Sequence, residues 1–63
     1  MATAATAADL LARLSHVETH IHASGREMIN TPEDRKRHVD YLLEENRIEE
    51  AREYVCNLAK LTV

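Results

Sequence analysis

Leu42-Leu43-Glu44-Glu45-Asn46-Arg47-Ile48-Glu49-Glu50-Ala51 is the stretch on which the fold turns. Before it runs an apolar stripe of Val39, Leu42 and Leu43, and after it one of Ile48, Ala51, Val55 and Leu58. Leu42 and Ile48 are six residues apart, so on a straight helix they lie about 120° from each other. A continuous helix would also put Asn46, Glu50 and Glu53 on the extension of the first stripe. A tight turn at Glu45-Asn46-Arg47 removes the conflict, because Asn tolerates the left-handed backbone conformation. Asn46 followed by Glu49 further reads as a capping box for a third helix. The alternative is one long helix from Pro32 to Lys60 whose stripe rotates to meet different neighbours.

Upstream, Thr31-Pro32-Glu33-Asp34 is a helix start. Thr31 suits the N-cap, Pro32 the first helical position, and the two carboxylates the positive end of the helix dipole. The first helix begins near Thr6 or Asp9, carries Leu10, Leu14, Val17 and Ile21 at spacings of four, three and four, and ends between Ser24 and Ile29. Gly25 either caps it in the left-handed conformation or sits inside it at a cost of ~1 kcal/mol against Ala. The chain holds one Gly and one Pro, and neither an alternating strand pattern nor an Asn-Gly hairpin signal occurs. The class is therefore all-α. A long N-terminal helix (about 7–27) precedes a helix–turn–helix pair (about 32–45 and 47–60), packed as a small bundle. Residues 1–63 form one domain with a frayed 1–6.

Size explains why we expect partners. A chain of 63 residues buries only about 60% of the surface its unfolded form exposes. Its hydrophobic fraction is 44%, yet Trp and Phe are absent and the only aromatic residues besides His are Tyr41 and Tyr54. Such a core is thin, which excludes a multi-domain enzyme and an enclosed cofactor cavity and favours a homo-oligomer. The seam Leu10, Leu14, Val17 and Ile21 is the candidate self-association face. Tyr54 and Leu61 widen the apolar face of the third helix, and with Arg47, Glu50 and Arg52 as a charged rim they form the candidate face for a different protein.

The formal net charge of −3 argues against sequence-independent nucleic-acid binding, which draws its affinity from Lys and Arg neutralising phosphates. Arg35, Lys36 and Arg37 are the densest basic cluster and the candidate phosphate contacts, though Glu33, Asp34 and Asp40 surround them. If residues 32–60 were a DNA-reading helix–turn–helix, the start of its recognition helix would bring Glu49, Glu50 and Glu53 to the phosphates. His16 and His20, four apart on one face with Arg13, are the only candidate metal ligands. The sequence supplies no obvious third ligand, and Glu18 is misplaced for the His-Glu-x-x-His motif. The default reading of the two is exposed polar residues, with no metal or other cofactor.

Cys56 is the only cysteine, so no intrachain disulfide can form. It flanks the apolar stripe and reads as a small buried hydrophobe rather than a nucleophile. No Gly-rich phosphate loop, Cys-x-x-Cys or nucleophile elbow occurs, so no residue is assigned to catalysis. No apolar run approaches the ~20 residues of a membrane span, and Met1 to Ala8 lacks the features of a signal peptide. The sequence thus points to a small, cytoplasmic, non-enzymatic interaction or regulatory protein. A phage or bacterial accessory factor of inhibitor-like or antitoxin-like action would fit. A nucleic-acid-binding regulator and a metal-binding helical protein are the alternatives.

Overall fold

The computed structural model describes residues 4–25 and 28–61. Three helices, α1 (Ala4–Ser24), α2 (Pro32–Glu44) and α3 (Ile48–Lys60), pack pairwise on one another, with no strand among the described residues. The long axis of 36 Å is close to the length of α1, whose 21 residues rise about 1.5 Å each. The helix begins at Ala4, earlier than Thr6 or Asp9, so residues 4–6 are helical rather than frayed. The Ala-Ala-Thr-Ala-Ala run explains this, since Ala has the highest helix propensity of any residue. At the other end α1 stops at Ser24, and Gly25 takes φ +68° with its N–H bonded to the His22 carbonyl at 3.2 Å. Gly25 is therefore a left-handed terminator, not a helix-interior glycine. Arg26 and Glu27, placed by the sequence in the last turn of α1, lie outside the described residues.

The start of α2 follows its local sequence. Thr31 is extended at φ −78° and ψ 160°, and its Oγ1 accepts the Asp34 N–H at 3.1 Å, with Pro32 behind it in the first turn. The end of α2 decides between one helix and two. Asn46 has φ 58°. Its N–H reaches the Leu43 carbonyl at 3.1 Å, and the Arg47 N–H reaches the Leu42 carbonyl at 2.8 Å. Those two bonds, five-to-two and six-to-one, make a Schellman motif with Asn46 as the left-handed residue. The turn is thus present, but the expected capping box is not. Because Asn46 is spent on ending α2, the N-cap of α3 falls to Arg47, which has no side-chain cap hydrogen bond. Glu49 and Glu50 in the first turn still complement the dipole. We expect Asn46→Gly to leave the urea midpoint unchanged or slightly raised, whereas Asn46→Val lowers stability by about 1–2 kcal/mol. A helix continuous through residue 46 would reverse that order.

The core is a single-chain core. Leu10, Leu14, Val17 and Ile21 of α1, Val39 and Leu42 of α2, and Ala51, Val55 and Leu58 of α3 are all buried. They form a larger cluster around Val39 and a smaller one in which Leu10 and Leu42 meet Ala51. Val39 and Ala51 are both 0% exposed. Ala51 has little bulk, so Leu10 of α1 and Leu42 of α2 can close over it. The α1 seam, expected as a self-association face, is therefore covered by α2 and α3 of its own chain. The reason is the Asn46 turn, which folds two helices back against α1 where one straight helix could have offered only one.

Candidate functional site

A groove of about 830 Å³ runs between α1 and α3. Leu10 and Val17 from α1 and Val55 from α3 lie at its floor. Ala12 on one side and Cys56 and Ala59 on the other leave it open, because none of the three is large enough to bridge the gap. Charged residues line its rims in pairs local to each helix: Arg13 with Asp9 at 3.4 Å, and Arg52 with Glu49 at 3.3 Å. Cys56 is exposed in this groove. That corrects the expectation of a buried thiol, since the stripe residues beside it, Val55 and Leu58, take the inward positions. Ala12 and Ala59 carried no signal of their own in the sequence, where Ala reads only as a helix former.

The five residues proposed for a partner face are divided by the fold. Arg47, Glu50 and Tyr54 line a shallower depression of about 320 Å³ between α2 and α3, with His38 and Leu42. Arg52 lies instead on the α1–α3 groove, and Leu61 follows the end of α3, 43% exposed. Arg47 donates two hydrogen bonds to Glu50, one of them at 2.8 Å, and this holds the Glu50 carboxyl below its ordinary range. Tyr54 is half-buried. Its ring meets His38 edge-on at 4.7 Å, and burial pushes its phenol up, while the nearby Arg35 charge and, to a lesser degree, a hydrogen bond with Asn30 oppose the shift.

The basic cluster is likewise dispersed. Arg35 is buried, with a relative exposure of 3%. Its Nε and Nη2 donate to the two oxygens of Glu18 on α1 at 2.6 and 2.7 Å, and its Nη1 donates to the Asn30 carbonyl. Its hydrogen bonds to the Glu18 carboxylate are the main cause that raises the guanidinium pKa further. Lys36 pairs with Asp40 at 3.6 Å and Arg37 with Asp34 at 3.5 Å. Arg35 is thus not a surface cation, and the other two each face a carboxylate on their own helix. A signal for the buried pair was present: Arg35, Val39 and Leu42 share the four-three spacing of a core stripe. Among the described residues, no buried side-chain nitrogen or oxygen lacks a hydrogen-bond partner.

His16 and His20 are exposed, and their rings meet at 76° with Nε2 atoms 3.1 Å apart. His22 and His38 belong to other surfaces. No cluster of three or more His, Cys, Asp or Glu side chains is arranged to hold a metal among the described residues, and no helix there is long and apolar enough to cross a membrane.

No family model, curated protein or solved structure matches this chain. The functional reading therefore rests on the chain's own geometry.

Proposed function

We propose that this chain is a small non-enzymatic interaction protein that docks a helix in its α1–α3 groove, and that the first such helix is α1 of a second copy. The observation that carries the reading is the groove itself, floored by Leu10, Val17 and Val55 and kept open by Ala12, Cys56 and Ala59. A groove of this form suits the helix-in-groove mode, in which an amphipathic or small-faced helix supplies the missing side of a bundle. The outer face of α1 fits as the occupant. Ala5, Ala8, Ala12, Ser15, Thr19 and Ala23 recur there at three- and four-residue spacing and are exposed. Small side chains bring helix axes closer. Ala12 belongs both to that stripe and to the lip of the groove, so two copies can bury each other's Ala12 region about a two-fold axis, as an isologous dimer requires.

A regulatory role, inhibitor-like or antitoxin-like, follows if a helix of another protein competes with the second copy for the same groove. A lone thiol exposed in that groove suits a reducing, cytoplasmic setting. The reading of Arg35, Lys36 and Arg37 as a nucleic-acid face has no comparable support, because each of the three already faces a carboxylate.

Light scattering and sedimentation test the proposal. The wild-type chain should run as a dimer at micromolar concentration. Ala12→Arg, which forces a bulky charge into the groove, should weaken dimerisation about ten- to a hundredfold while leaving helicity intact. A wild-type chain that stays monomeric up to about 1 mM would remove the second copy as occupant.

A further inference from the structure

The paired histidines of α1 are placed for a task that no fold requirement explains. His16 and His20 are exposed, on a helix already secured by its buried stripe, and among the described residues neither is paired with a carboxylate. Their Nε2 atoms converge to 3.1 Å. Imidazole nitrogens bind late first-row divalent ions at about 2.0–2.1 Å, so an ion equidistant from both would subtend an N–metal–N angle of roughly 95–102°. That range lies between the cis positions of a tetragonal site and a tetrahedral edge, so both are open to the pair, and among divalent first-row ions nitrogen ligands bind Ni²⁺ and Cu²⁺ more tightly than the earlier metals.

We propose that His16 and His20 form a bidentate surface site for a divalent ion of the nickel–copper type, bound on a single α1 helix through the two Nε2 atoms, with water in the remaining positions. The backbone between the ligands is one regular helical turn in a helix of 21 residues, so no loop has to be ordered when the ion binds. The second imidazole is then an intramolecular ligand at high effective concentration, which raises affinity over that of a lone histidine. Without the ion, the same geometry is satisfied by one Nε2–H donating to the other ring, which keeps the two rings converged and the site ready.

Ni²⁺ is the probe, since it favours cis nitrogen pairs and does not oxidise the Cys56 thiol. Calorimetric titration of the full chain should show one ion per chain, and the melting temperature should rise with added Ni²⁺. His16→Gln and His20→Gln should each weaken binding about tenfold or more and abolish the thermal shift. His22→Gln, two residues along on a different face, and Cys56→Ser should bind like wild type. No saturable binding up to about 1 mM Ni²⁺ overturns the proposal. So does a loss of affinity in Cys56→Ser, wild-type affinity in either His16→Gln or His20→Gln, or a stoichiometry of one ion per two chains. His16 also lines the α1–α3 groove whereas His20 does not, so His20→Gln reports on the ion and Ala12→Arg on the second copy, and the failure of either proposal is told apart from that of the other.

Discussion

Arg35→Met should lower the stability of the chain by about 3 kcal/mol, read as a fall in the urea midpoint. The guanidinium is 3% exposed, and it satisfies both oxygens of Glu18 and the Asn30 carbonyl. Removing one partner of a buried ion pair leaves the other charge uncompensated and costs about 3–5 kcal/mol. Glu18 retains 17% side-chain exposure, so water relieves part of that penalty and the cost falls near the lower end, about 3 kcal/mol. Against a total stability of roughly 3–9 kcal/mol for a chain of this length, that is about a third or more of the whole. The companion experiment separates charge from shape. Glu18→Leu with Arg35→Met replaces the ion pair by apolar side chains, which is often neutral or better. The double variant should recover most of the urea midpoint that either single variant loses. If Arg35→Met alone melts like wild type, the pair is not buried as described.

Leu14→Asp is the second large effect, and it tells an intrachain core from an intersubunit seam. Leu14 is 3% exposed and belongs to the cluster with Val17, Ile21, Val39, Val55 and Leu58. Truncating a buried Leu costs about 2–5 kcal/mol before any charge is considered. An unpaired carboxylate at the same place adds a desolvation penalty or must bind a proton. The sum reaches or exceeds the stability of the domain, so the far-UV circular dichroism of α1, α2 and α3 should collapse at every protein concentration. Ala12→Arg, two residues away, should keep its helicity and change only association. Were Leu14→Asp to yield folded monomers instead, the α1 stripe would be an interface between copies, and the three-helix core would be wrong.

That pair of variants marks the boundary between local and tertiary information. What the sequence determined by itself is local. Thr31-Pro32 starts α2 and Asn46 ends it because capping and left-handed backbone are decided within one helical turn. The inward stripes are legible because helical periodicity assigns a face before any neighbour is known. Even the Asn46 capping box failed for a local reason, as the left-handed residue that closes α2 cannot also cap α3. The tertiary structure decided what each face meets. Glu18 and Arg35 are seventeen residues apart, and only the packing of α2 across α1 turns a basic-cluster arginine into a buried ion-pair partner. The same packing closed the Leu10–Ile21 seam within one chain, split Arg52 from Arg47, Glu50 and Tyr54, and opened the groove at Ala12, Cys56 and Ala59. Periodicity tells a helix which side to bury, whereas the side chains available to fill the space between two helices depend on how the axes are set against each other.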